Sequence, residues 1–170
     1  MQSQNSQTNM SGTDLPNMDH SIHVVTAEMG PAGSPAYRYI SFRDHTNTTK
    51  VQMKGLAINR KDSDIMALRG VMAPADENRV PQEHFNIVNE VEIFRGPIKD
   101  YLHKMAMAVE ALHFINAQNL NYRPEDTNGD SPNSIAHTLV QAMGLEMPME
   151  ATAFWAPGHE RIILPKNWRV

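Results

Sequence analysis

The apolar pattern of this chain changes period once, at Gly96-Pro97, and that single change restricts the fold more than any other feature. Before it, short apolar segments alternate with polar residues at a period of two, the repeat of a strand with two unlike faces; after it, apolar residues return every three or four positions, the repeat of a helix. In HSIHVVTAE, Ile22, Val24 and Thr26 alternate with His23, Val25 and Ala27. Gly30, Pro31, Gly33 and Pro35 then force a turn. AYRYISFRD and TKVQMKGLAI are two further strand candidates, separated by the polar loop Asp44 to Thr49. Strands this close in sequence are joined by short turns, so an antiparallel meander is expected. IMALRGVM, within Asn59 to Pro81, is short and apolar but for Arg69 and fits a buried strand or a helical turn equally well. HFNIVNEVEIF predicts a strand with Phe85, Ile87, Val91 and Ile93 on one face and His84, Asn86, Glu90 and Glu92 on the other.

Beyond Pro97, Ile98, Tyr101, Leu102, Met105, Val109, Leu112 and Ile115 form one apolar stripe over about five helical turns. Pro97 suits the first helical position, and no Gly or Pro interrupts the run to Gln118. A second helix is expected after the Asp126 to Ser131 loop, ending near Gly144, a residue that tolerates the left-handed conformation of a helix C-terminus. The final segment, AFWAPGHERIILPKNW, reads as a loop and a short strand. Together these elements predict an α+β fold: an antiparallel sheet with two main helices.

Residues 1–19 are rich in Gln, Asn, Ser and Thr, offer almost nothing to bury, and are expected to form a disordered polar tail. Residues 20–170 are expected to form one globular domain, for which a 41% hydrophobic composition supplies a sufficient core. A net charge of -4 lacks the basic footprint of a nucleic-acid binder, so no nucleic-acid partner is expected and a protein or peptide partner is. No cysteine is present, which removes disulfides, thiolate metal sites and a cysteine nucleophile together. Apolar runs are shorter than the roughly 18 residues of a membrane span, and no signal peptide is readable. The expected location is the cytoplasm, or outside by a non-classical route.

Three places invite chemistry. Asp126, Asn128 and Asp130 begin like a calcium loop, but Ser131 stands where the tight turn needs Gly, and His137 where a closing carboxylate is needed. Calcium binding is therefore not expected. Ser131 followed by Pro132 reads instead as a helix start, the Ser oxygen accepting an end-on backbone N–H and the Pro removing an N–H that would be unpaired. The histidines do not form a local metal site: His20 and His23 fall on opposite faces of a strand, and His103 and His113 are about 15 Å apart along a helix. Only a distant group such as His159 or Glu160 could complete one, so no metal and no cofactor are expected. The 12 methionines suit core filling, and Trp155 and Trp168 could anchor the C-terminal segment or an interface.

The succession Tyr122, a polar loop, Ser131-Pro132-Asn133-Ser134, the helix IAHTLVQAMGL and then Pro148 resembles the "NCNSF" segment of PPPDE-type permuted papain-like peptidases and is similar to bacterial relatives reading "NSNS". That resemblance implies a permuted papain-like fold in which an early strand carries the catalytic His and a later helix opens with the nucleophile. His23 occupies the former place. Aligning Asn133-Ser134 with the family's Asn-Ser puts Pro132 at the nucleophile, and Pro has no attacking group. Residual hydrolysis would then fall to Ser131 or Ser134, with His23 or His137 as base. Two functions follow: a papain-like module related to bacterial amide-bond hydrolases and effector or toxin domains, its cysteine lost, or a noncatalytic binding, adaptor or structural subunit using the same scaffold.

Overall fold

The computed structural model describes residues 18–28, 30–75, 86–123, 129–153, 156–165 and 168. Five strands, β1 (His20–Glu28), β2 (Ala36–Arg43), β3 (Thr49–Arg60), β4 (Ser63–Pro74) and β5 (Asn86–Gly96), form one antiparallel sheet ordered β4-β3-β2-β1-β5. The first four follow each other as a meander, and the ambiguous IMALRGVM becomes part of β4. β5 crosses back to pair with β1, which places β1 between two partners, at Val24↔Ile40 on one side and Val24↔Val91 on the other.

Helices α1 (Ile98–Ala117), α2 (Pro132–Ala142) and α3 (Met149–Thr152) complete the α+β fold. The core joins Ile22, Val24, Ile40, Phe42, Met53 and Leu68 of the sheet to Leu112 and Ile115 of α1 and Ile135 and Leu139 of α2. Because side chains alternate along a strand, this assigns Ile22 and Val24 to the helix-bearing face of β1 and Ser21, His23 and Val25 to the opposite face.

Two glycines set how closely the layers approach. A Cβ on Gly55 of β3 would lie 2.5 Å from Cα of Pro132, and one on Gly70 of β4 would lie 2.3 Å from Cδ2 of Leu112. The first turn of α2 thus rests directly on sheet backbone, and α1 inserts Leu112 where β4 has no side chain.

Several expectations are corrected. Pro97 caps α1 from an extended conformation instead of occupying its first turn. Ile98 and Leu102 are 54% and 51% exposed: Tyr101, Ala108, Ala111, Leu112 and Ile115 make the buried face, since alanines allow closer packing than the larger stripe residues would. In β5, Val91 does face the helices, but the pairing jumps between Thr26 and Ala27, so Ile87 sits opposite Ala27 and is 57% exposed. A bulge of this kind inserts one residue, and one residue reverses the faces beyond it. α3 ends just before the C-terminal segment, which makes turns and, among the described residues, adds no strand. Ile163 instead donates its N–H to Thr138 Oγ1 of α2, 3.0 Å away, and joins the core. Gly144 follows α2 with φ 69°, as its place after the helix requires. Residues 1–17 of the polar tail, His84, Phe85, Asp126, Asn128 and Trp155 lie outside the described residues. Among those described, no helix is long and apolar enough to cross a membrane.

Candidate functional site

Three groupings can be built from the residues upward: the start of α2, the far face of the sheet around His23, and a cleft beside the end of α2.

At the start of α2, Ser131 is the N-cap. Its Oγ accepts the Ser134 N–H at 3.4 Å, while Ser134 Oγ accepts the Ser131 N–H at 2.9 Å, a reciprocal pairing that satisfies two backbone donors. The protons of both hydroxyls are also engaged: Ser131 donates to the Pro157 carbonyl at 2.8 Å and Ser134 to the Ser131 carbonyl at 2.7 Å. Ser134 is fully buried and Ser131 nearly so. Pro132 occupies the first helical position, where its missing N–H leaves nothing unpaired.

Asn133 ties this helix start to the sheet. Its Oδ1 accepts the Arg38 N–H at 2.8 Å, and its Nδ2 donates to the Ala36 carbonyl at 3.0 Å and the Pro157 carbonyl at 3.1 Å. One buried amide thereby joins β2, α2 and the C-terminal segment. Sequence reasoning used Asn133 only as part of a motif; an Asn beside a capping Ser in a helix that must dock on a sheet was the available signal. Arg38, on the same face of β2, is also buried, and that burial brings its guanidinium down to a pKa of about 10.

His23 stands elsewhere. It lies on the sheet face turned away from α2, so the structure does not bring it to Ser131 or Ser134. Its Nε2 is 3.0 Å from Ser21 Oγ, and its Nδ1 is 3.1 Å from Glu90 Oε1, with Glu92 Oε2 3.7 Å from Nε2. Glu90 in turn receives Arg43 at 2.6 Å, and Arg95 pairs with Glu92. Register explains the grouping: Ser21 lies opposite Arg43 and Arg95, and His23 opposite Ser41 and Glu92. The two carboxylates would raise the His23 pKa, but burial first, and Arg43 after it, hold it below the ordinary value of 6.5. The imidazole is neutral near pH 7. Ser21, His23 and Glu90 are thus linked in the order nucleophile, base and carboxylate. Ser21, however, is only 1% exposed.

His137, one turn into α2, meets neither serine through its ring. Its Nδ1 donates to the His159 carbonyl, and burial is the main reason its pKa lies below 6.5. It opens instead onto a cleft of about 420 Å³ shared with Leu145, Glu146, Met147, His159 and Glu160. His159 donates from Nδ1 to the Ala156 carbonyl at 2.9 Å, and its Nε2 faces Glu160 Oε1 at 3.7 Å. Among the described residues no three His, Cys, Asp or Glu side chains are arranged to hold a metal ion.

Of the four residues that the sequence singles out, the structure therefore pairs Ser131 with Ser134, turns the His137 hydrogen bond to the His159 carbonyl although it shares α2 with Ser134, and puts His23 on the opposite face of the sheet. Comparison with known proteins finds no matching family, no matching curated protein and no matching solved structure.

Proposed function

We propose that this chain is a noncatalytic binding module that keeps the element order of a permuted papain-like scaffold without its reaction. The observation that carries this reading is the reciprocal cap: both hydroxyls at the α2 start hold backbone groups, both are buried, and the histidine that a papain-like site would need lies across the sheet. A hydroxyl becomes a nucleophile when a base takes its proton, and here carbonyl oxygens hold both protons. A helix N-terminus would stabilise an oxyanion, yet Pro132 supplies no attacking atom at the family's nucleophile position.

The second reading is a serine-type acyl hydrolase centred on Ser21, and the Ser21–His23–Glu90 chain favours it. Its neutral imidazole and fixed carboxylate fit general-base chemistry, while the flanking Arg43 and Arg95 would favour developing negative charge. The burial of Ser21 weighs against it, because an acyl carbon must approach to within about 3 Å of the attacking oxygen.

A fluorophosphonate probe with peptide mapping separates the readings. The binding-module reading expects no labelled serine. Labelling of Ser21 that disappears in His23→Ala would establish the hydrolase, and labelling of Ser131 or Ser134 would overturn the structural role of the cap.

A further inference from the structure

Resting on the binding-module reading, the cleft beside the end of α2 indicates what is bound. Both of its imidazoles are held in one tautomer. A carbonyl oxygen can only accept, so the Nδ1 atoms of His137 and His159 carry the protons that they give to the carbonyls of His159 and Ala156. In the neutral ring each Nε2 is then an acceptor. Glu146 and Glu160 add carboxylate oxygens, Gln141 adds an uncharged amide, and no Lys or Arg is among the described residues lining the cleft.

The contact between His159 and Glu160 makes this specific. His159 Nε2 lies 3.7 Å from Glu160 Oε1, and where the ring is neutral with Nδ1 protonated these are two acceptors side by side. Such a pair gains from a third group that brings N–H donors and positive charge. Leu145 and Met147 give the same cleft an apolar wall, which suits the alkyl stem of a cation and would be wasted on a hydrated metal ion.

We propose that this cleft binds a primary alkylammonium group, whose three N–H donors go to His159, Glu146 and Glu160 and whose stem lies against Leu145 and Met147. Two sources share that chemistry: the lysine side chain of a partner peptide and a free polyamine. The buried Arg38 guanidinium is close enough to act on His137, so ammonium binding is concentrated at the His159, Glu160 and Glu146 side of the cleft.

The test is a titration of the full chain near pH 8, where free imidazoles are neutral. Nα-acetyl-lysine methylamide, spermidine and Nα-acetyl-norleucine methylamide are added separately while the ring resonances of His137 and His159 are followed by NMR. Expected is saturable movement of the His159 ring with the lysine amide or spermidine, at a dissociation constant in the roughly millimolar range of a single small group. The norleucine amide, which has the stem without the ammonium, should not saturate. Glu160→Gln and Glu146→Gln should each weaken binding by roughly twofold to fivefold, as loss of an exposed ion pair does. Tighter binding of the lysine amide at matched ionic strength assigns the site to a peptide side chain, and tighter binding of spermidine assigns it to a free polyamine. The proposal is overturned if neither cation saturates, if the norleucine amide binds equally well, or if both Gln variants bind unchanged. Serine labelling at Ser21 would overturn the binding-module reading without touching this titration, and a failed titration on an unlabelled protein would overturn the cleft alone.

Discussion

Gly55 of β3 and Pro132 of α2 meet so closely that a methyl group on the glycine would stand 2.5 Å from the proline Cα. The neighbour is helix backbone, which cannot rotate away as a side-chain end could. The start of α2, with its paired serines and Asn133, is therefore positioned by the absence of one side chain on the sheet.

Replacing that glycine should show it. Gly55→Ala is expected to destabilise the protein by about 1–3 kcal/mol, the range for overpacking a filled interior. The checks are denaturant unfolding and loss of amide-exchange protection in the first turn of α2. An unchanged unfolding midpoint would mean that the helix start is not seated on β3.

Asn133→Ala should be among the most damaging single changes at the helix start. It leaves the Arg38 N–H and the Ala36 carbonyl without their side-chain partner in a buried place, and each such loss costs about 1–3 kcal/mol. Asn133→Asp keeps the acceptor for Arg38 but turns a second oxygen toward the Ala36 and Pro157 carbonyls, so it should be destabilising as well. Equilibrium unfolding of both variants measures this; a stable Asn133→Asp would mean that the donated bonds contribute little.

Ser131 is bound on two sides, and its variants should differ accordingly. Ser131→Ala loses the cap, at about 0.5–2 kcal/mol. Ser131→Asp retains a capping oxygen and suits the helix dipole, but it cannot donate to Pro157 and presents a carboxylate to that carbonyl. It should therefore fail to restore wild-type stability, whereas Ser131→Thr, which keeps the hydroxyl, should come closer. Full rescue by Asp in thermal unfolding would show that the Pro157 bond is unimportant.

Acidification should weaken the fold before carboxylates titrate. His23 and His137 both have folded pKa values below the ordinary 6.5, chiefly through burial, so the unfolded chain binds more protons than the native one between those lowered values and 6.5. Stability contributed by the neutral rings is present above that window and falls as pH drops through it. Thermal midpoints measured from about pH 8 to about pH 5 should decline, and His23→Gln should flatten part of the slope. A decline unaltered by both His23→Gln and His137→Gln would remove these two residues as its source.

Several local features were legible in the chain itself because their causes are local. Period-two alternation from His20 gave β1, the run after Pro97 gave α1, Ser131-Pro132 gave a capped helix start, and Gly144 ended that helix. Each follows from the conformational preferences of a few neighbouring residues. IMALRGVM could not be assigned this way, since a short stretch that is apolar but for Arg69 shows no clear period; pairing with β3 along Gly55↔Gly70 and Leu56↔Arg69 made it a strand.

The tertiary structure alone decided which residues share a place. That Ser21 and His23 meet Glu90 depends on β5 returning to the far side of β1, a pairing across more than sixty residues that no local pattern records. The exposure of Leu102 and Ile87 was decided by how closely α1 packs and where β5 bulges, which are properties of the neighbours. His23 and Ser131 were each readable as chemically able side chains, but a sheet has two faces, and only the placement of α2 on one of them separated the histidine from the serines: sequence determines what each residue can do locally, while the packing of layers determines which residues can do it together.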